Sequence, residues 1–255
     1  MRIREHGAVS EDDAWSTVAA EWAATWGAAA APAHAALLDA TVVGAGARLL
    51  DVGCGSGELL RIAADRGALV AGCDPAPGML ALARRAAPEA ALREAGVEDL
   101  PWPDGSFDVV TAVNALHLAD DEEGALAELR RVLVPGGRIA VASWAEHAAN
   151  DLDAIEAAVA EADGDDPSPD LPERLPGGLE ALLAANGLAV EASGIVEAPW
   201  AAADDAALVS AVLLGEDAAT LEELGPVVVA AAAPFRFPNG EYRLLNRFRW
   251  AVARA

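Results

Sequence analysis

The chain contains no lysine: all 17 of its basic residues are arginine. That absence excludes a pyridoxal-phosphate Schiff base, a lysine nucleophile and a phosphate loop of the Walker type, each of which needs the primary amine. Cysteine is almost as scarce. Cys54 and Cys73 are too few for a disulfide framework or a thiolate zinc site, and no Cys/His cluster has metal-ligand spacing. No metal is expected. Long apolar runs are missing too, none approaching the roughly 18 residues that span a bilayer. The opening stretch MRIREHGAVSEDD lacks the apolar core and cleavage site of a leader. These absences indicate a protein of the reducing cytoplasm that does not enter a membrane.

Positive charge is the other thing in short supply. Forty-one acidic residues against 17 arginines give a net charge of −24, which repels phosphate backbones and anionic lipid surfaces. Nucleic acid and membrane are therefore excluded as first partners, and a small molecule is favoured. The charge is uneven: Arg236, Arg243, Arg247, Arg249 and Arg254 crowd the end of the chain, opposed locally only by Glu241. Two readings stand, a last strand with a solvated basic edge, or a contact to the acidic body or to a second subunit. A homodimer is the oligomer this second reading allows.

At 255 residues the chain suits one large α/β domain with additions. Residues 14 to about 40 read as helix broken near Gly27 and Pro32. Trp15, Trp22 and Trp26, at offsets of 7 and 11, share one face of it at about 100° per residue. Such a stripe packs on the main domain, roofs a ligand pocket as a lid, or does both. Strand-like runs then alternate with helical ones: RLLDV (48–52), ALVAGCD (68–74), AALREA (90–95), FDVVTAV (107–113) and RIAVASW (138–144). Several are nearly all apolar, as strands buried on both faces should be. Gly136 and Gly137, after Pro135, are expected to end a helix and turn the chain into the next strand. Further on, NDLDAIEAAVAEADG reads as an exposed acidic helix and 164–178 as a proline-rich loop. LEALLAANG reads as a short helix, and two more strands (LAVEASGIVEAPW and YRLLNRFRWAVARA) flank helical material at about 204–235. The alternation predicts a mostly parallel sheet wrapped by helices. The expected divisions are an N-terminal helical cap at 1–46, a core at 47–145, and a C-terminal part at 146–255 that completes the sheet.

The most informative stretch is RLLDVGCGSGELLRIA, residues 48–63. Three alternate glycines between a strand and a helix let a ligand approach the main chain at the carboxyl end of a parallel sheet, beside a helix N-terminus. Asp74, 17 residues past Gly57, stands where a carboxylate takes ribose hydroxyls, about 20 residues on. A nucleoside cofactor follows. A nicotinamide dinucleotide would want GxGxxG, whereas the glycines here run GxGxG, Glu58 occupies the last glycine's place, and Asp51 precedes the loop. Carboxylates there are awkward beside a pyrophosphate and suit an ammonium and a sulfonium.

At these residues the sequence resembles a known family. LLDVGCGSGELL is similar to motif I of the class I S-adenosylmethionine-dependent methyltransferases. The likeness continues in order through VAGCDPAPGMLALARR, GVEDLPWPDGSFDVVTAVNALHLADD and ELRRVLVPGGRIAVASW. It covers about residues 46–145 and resembles the ubiquinone/menaquinone-type branch that acts on small molecules. The resemblance implies a Rossmann-like seven-stranded sheet, with an N-terminal helical lid and a helical insert before the last strand. It also implies S-adenosylmethionine as cofactor and S-adenosylhomocysteine as product.

Carried over residue by residue, Asp51 and the loop Gly53, Cys54, Gly55 and Gly57 would face the methionine part. Asp74 with Pro75 would hold the ribose, Met79 the adenine face, Val97 and Glu98 its edge, and Asn114 the cofactor beside the sulfonium. The family form DAExLP is GVEDLP here, with Gly96 at the acidic position, so Glu98, Asp99, backbone or water would read the adenine amino group. Cys54 and Cys73 read as small core residues rather than reactive thiols. His117 is the first candidate for a base or orienting group, since histidine titrates near neutrality. Trp22, Trp26, Trp144 and His147 are candidates for the acceptor pocket, whereas His6 and His34 carry no local signature. The expected activity is in-line methyl transfer to a small organic acceptor. A non-catalytic cofactor-binding protein is the alternative and a nicotinamide oxidoreductase a remote one.

Overall fold

The computed structural model describes residues 11–255, with side chains from residue 14 onward; His6 lies outside the described residues. Two helices, α1 (Glu11–Thr25) and α2 (Ala31–Ala40), precede the first strand. The strands are β1 (Arg48–Val52), β2 (Leu69–Asp74), β3 (Ala91–Glu94), β4 (Phe107–Val113), β5 (Leu133–Trp144), β6 (Ala189–Ala202) and β7 (Tyr242–Arg254). They form a seven-stranded sheet in the order β3-β2-β1-β4-β5-β7-β6. Among these strands β7 alone runs opposite to the others, antiparallel to both β5 and β6. Strand order reverses between β1 and β4, the place where open sheets of this kind bind ligands.

Helices α3 (Glu58–Asp65), α4 (Pro77–Ala86) and α5 (Glu122–Arg131) make the crossovers. Leu59, Leu60 and Ala63 of α3, Leu80 and Ala83 of α4, and Ala125, Leu126 and Leu129 of α5 are buried against the sheet, the spacing of one helical face. Helix α5 is capped by Asp121, whose side chain accepts from the Gly124 N–H at 3.0 Å. Central strands β1 and β4 are buried along most of their length, which is why they read as mostly apolar runs.

Gly136 and Gly137 do not precede β5; they lie inside it. Phe107 pairs with Leu133 and Val109 with Arg138, so the register slips across residues 134–137 and the Pro-Gly-Gly segment bulges out of the ladder. The acidic helix, α6 (Asp151–Ala162), is not exposed on all sides: Leu152, Ile155 and Val159 are buried. Between it and β6 lies the short helix α7 (Gly178–Ala185); α6 packs on α9 (Ala218–Ala231), which with α8 (Asp205–Val212) forms the insert before β7.

The terminal arginines meet the acidic body. Arg249 reaches Glu146 at 2.6 Å, Arg254 Glu191 at 2.6 Å, Arg236 Asp205 at 3.1 Å and Arg247 Glu197 at 3.3 Å. Strand β7 is interior to the sheet, so the reading of a solvated edge gives way to local pairing.

The N-terminal helices are pinned at three points over the carboxyl ends of the strands. Trp26 Nε1 donates to the Ala211 carbonyl at 3.0 Å, Trp200 Nε1 to the Thr25 carbonyl at 2.9 Å, and Gly78 N to Ser16 Oγ at 3.1 Å. At the last of these, α1 and α4 touch backbone to backbone: a Cβ on Gly78 would stand 2.5 Å from the Ser16 carbonyl oxygen. Gly78→Ala is therefore expected to push α1 off α4 at a cost of about 1–3 kcal/mol. Lower thermal stability and a red-shifted tryptophan emission check it.

Candidate functional site

The carboxyl ends of β1, β2, β4 and β5 open on a cleft of about 560 Å³. Its floor at one end is the loop after β1. Gly57, at φ 90°, lies so close to α4 that a Cβ would stand 2.9 Å from the Ala83 Cα, whereas at Gly55 the nearest atoms are those of the Trp22 ring, 3.9 Å away. One glycine permits the helix to pack. The other leaves main chain open to a ligand.

Asp74, at the end of β2, is 8% exposed. Its Oδ2 accepts from the Gly55 N–H at 2.9 Å and its Oδ1 from the Ala76 N–H at 3.0 Å. The carboxylate is thus held at a fixed angle at the end of β2. Asp51 is 4% exposed and accepts from Thr111 Oγ1 at 2.6 Å. Burial pushes its carboxyl up to about 7; the Thr111 hydroxyl pulls the other way, and the charges of Asp74 and Glu58 add to the rise. Glu58 is likewise raised, first by burial, against a 2.7 Å bond from Ser56 Oγ.

Three carboxyl groups therefore face one loop. Glu98 and Asp120 also line the cleft, and among the described residues no arginine does. Such a surface accepts a cationic ligand and resists an anionic one such as a pyrophosphate. The arrangement fits a ligand carrying ribose hydroxyls and positive charge.

Cys54 and Cys73 are buried and free, their thiols raised by burial, Cys73 to about 12. Neither is a nucleophile at neutral pH. Met79 is 3% exposed, packed with Ala19 and Ala76 beneath Trp15 and Trp22, and borders the cleft with Pro75, Val97 and Glu98. Gly96 also borders it and has nothing within 4 Å of a would-be Cβ. Glu98 Oε1 accepts from the Asp121 N–H at 2.8 Å. Asn114 sits at φ 51°, a left-handed conformation that asparagine tolerates; its Oδ1 accepts from the Trp144 N–H at 3.1 Å, tying β4 to β5.

At the other end the cleft turns aromatic. Trp26 and Trp144 line it, with Trp144 stacked on Phe248 at 4.1 Å and Trp26 on Trp200 at 4.6 Å, while Trp22 stands over the glycine loop at Gly55. The tryptophan stripe of α1 both packs and roofs. His117, in a 3₁₀ turn after β4 (Leu116–Leu118), is exposed on the cleft.

His147 is placed elsewhere. Its N–H donates to Asp170 Oδ1 at 2.9 Å and its Nε2 lies 3.6 Å from the same atom, so the turn at His147–Ala149 points it to the proline-rich loop and not to the cleft lining. Thr111, Phe248, His34 and Asp120 are among the residues of the site that sequence reasoning does not single out. The apolar alternation of β7 marks Phe248 as inward-facing; Thr111 is recognisable only once β1 and β4 are paired.

Comparison with known proteins agrees with this layout. Residues 50–141 match the family model described as Methyltransferase domain. A demethylmenaquinone methyltransferase of Thermus thermophilus is 47% identical over 100 residues, 37% of this chain and 46% of that protein. Another, of Beutenbergia cavernae, is 38% identical over 109 residues, 43% and 45% of the two chains. The matched segment thus spans less than half the length of these curated relatives. Among solved structures, the YcgJ protein of Bacillus subtilis superposes with a TM-score of 0.58 at 20% identity, covering 87% of this chain and 97% of that one. The [4+2]-cyclase SpnF does so with a TM-score of 0.54 at 22% identity, covering 88% and 82%. Likeness at such identities establishes the fold.

Proposed function

We propose, starting from the class I S-adenosylmethionine-dependent methyltransferase domain at residues 50–141, that the protein moves a methyl group from S-adenosylmethionine to a small organic acceptor. The observation that carries this reading is the set of carboxyls around the glycine loop, the buried Asp51 and Asp74 and the half-buried Glu58, on a cleft that no arginine lines among the described residues. Asp51 and the main chain of Gly53–Gly57 bind the cationic methionine end. Asp74 takes the ribose hydroxyls, Met79 and Val97 sandwich the base, and Glu98 or main chain near Gly96 reads its edge. Asn114 orients the wall next to the sulfonium.

The cofactor supplies an activated methyl group, and an in-line displacement needs no further covalent chemistry from the protein. What the chain contributes is alignment and exclusion of water, worth up to about 7–11 kcal/mol when good. The roof of α1 and the aromatic walls do this. His117, on the cleft wall, is the group placed to take a proton from an acceptor that must lose one. The relatives named for demethylmenaquinone favour an aromatic acceptor within this reading.

Calorimetric titration with S-adenosylmethionine, S-adenosylhomocysteine and NADH tests it: the first two bind and the third does not. Failure of both adenosyl ligands overturns it. His117→Ala is expected to lower turnover by about 100-fold, the usual worth of a positioned base, with adenosyl-ligand affinity unchanged; equal turnover removes His117 from the chemistry. The second reading is a protein that keeps the cofactor site and methylates nothing; cofactor binding without methyl transfer to any acceptor favours it.

A further inference from the structure

Behind His117 lies a second and much smaller cavity, of about 10 Å³, close to the space that one water needs. His117 lines both this cavity and the cleft, so it stands in the wall that divides them. The polar side chains on the small cavity are His117, Ser143 and Glu173; the rest of its lining is apolar, Leu179 and Leu182 of α7 included. Glu173 is the anomaly. It is 7% exposed, and its Oε1 is sealed from solvent with no hydrogen-bond partner among the described residues. Glutamate is almost never buried to this degree unless an opposite charge meets it. Its neighbour Arg174 is turned elsewhere: that guanidinium is engaged by Asp153 and donates to the Ala145 carbonyl at 2.7 Å and 3.0 Å. The 3₁₀ turn that carries both residues, Pro172–Arg174, is fixed in place. A Cβ on Gly178 would overlap the Pro172 carbonyl, and Arg249 Nε donates to the Arg174 carbonyl at 3.0 Å. The negative charge of Glu173 reaches Glu122 at the head of α5, whose carboxyl is raised first by its own burial and then by that charge. On the small cavity itself, the one lining group able to carry positive charge is His117.

The geometry points to Glu173 as the positioning residue of His117: a buried carboxylate that, across the width of one water, keeps the imidazole N–H on the cavity side and leaves the other nitrogen bare toward the cleft. This rests on His117 as the base proposed above. A neutral imidazole has one N–H and one bare nitrogen, and only the bare one takes a proton. In the transfer, the bond between the methyl acceptor's reacting atom and its hydrogen breaks, and the electron pair stays on that atom to attack the methyl carbon as the carbon–sulfur bond breaks. The proton forms a new N–H bond on the cleft side of His117. The ring is then cationic, and the carboxylate across the small cavity, which keeps its own charge, stabilises it.

Proton NMR titration of the four histidines in the full chain, with His117→Ala to assign the signal, tests this with no ligand present. In Glu173→Gln, which keeps the shape and removes the charge, His117 is expected to titrate about one pH unit lower than in the parent. Glu98 and Asp120 on the same cleft, and Glu122 on α5, which packs against the His117 turn, are left in place, so the shift reads Glu173. Calorimetric affinity for S-adenosylhomocysteine should be unchanged in the variant, because Glu173 does not line the cleft. If Glu173→Gln does not fold, Glu173→Met removes the charge in its place. A His117 titration equal in parent and variant overturns the inference, and a lower melting temperature beside that equal titration assigns Glu173 a structural role only. Failure of S-adenosylhomocysteine to bind the parent is a separate result, which strikes at the methyltransferase reading and leaves the His117 titration to be judged on its own.

Discussion

Asp74→Ala is expected to weaken binding of S-adenosylmethionine by about 100-fold or more. Two charge-assisted hydrogen bonds to ribose hydroxyls are each worth about 1.5–3 kcal/mol net, and the aspartate does a second job at once. Its two oxygens hold the Gly55 N–H at 2.9 Å and the Ala76 N–H at 3.0 Å, so removing it also frees the glycine loop and the entry to α4. Asp74→Asn separates the two roles in part. One amide oxygen still accepts, but the amide nitrogen then faces a backbone donor, so this variant should also fall well short of the parent. Calorimetry with S-adenosylmethionine and a thermal melt of the free protein report the two contributions separately. An affinity equal to the parent's in Asp74→Ala would take Asp74 out of the site, and with it the ribose argument.

How much of the fold and of the site is legible in the sequence follows from where the constraint lies. Strands β1 and β4 can be placed to the residue, at 48–52 and 107–113, because burial on both faces leaves short, mostly apolar runs bounded by polar and glycine-rich segments. The loop 53–57 is legible because backbone at positive φ is written into sequence as glycine. The terminal arginines cannot be assigned from sequence alone. Apart from Arg243, which pairs with Glu241 two residues away, the partners lie far away in the chain, as with Arg249 and Glu146, and only strand order shows that β7 is interior.

The misreadings have the same origin. Pro135-Gly136-Gly137 looks like a turn into a strand because a bulge uses the same residues; what distinguishes them is that Phe107 already pairs with Leu133 upstream. His147 follows β5 closely in sequence, as a cleft residue would, yet Asp170 captures its backbone. His34 is bland in sequence because one histidine on an alanine-rich helix has no local signature. Its Nδ1, buried with no hydrogen-bond partner among the described residues, reflects packing that is visible only when α2 lies over β5 and β7.

Asp51→Asn is expected to abolish the pH dependence of cofactor binding and to stabilise the ligand-free protein. In the fold the Asp51 carboxyl titrates near 7, raised chiefly by burial, whereas its ordinary value is 3.8. Between those limits the folded state holds a proton that the unfolded chain has lost. The contribution of Asp51 to stability is therefore present at low pH and falls away as pH rises from about 4 to about 7. A cationic ligand reverses the sense, since it favours the ionised carboxylate. Affinity for S-adenosylmethionine should rise by about tenfold or more between pH 5.5 and 7.5, approaching a tenfold gain per unit below the folded value. Asparagine keeps the size of the side chain and carries no charge. The variant should bind the cofactor about 100-fold more weakly at pH 7.5, show a flat profile across the same range, and melt several degrees higher than the ligand-free parent at pH 7.5. A parent affinity that does not change between pH 5.5 and 7.5 would mean that Asp51 does not face the cationic end of the cofactor. The same carboxylate would then be a structural acid held by Thr111, and the methionine end would have to be met by Glu58 and the loop's main chain.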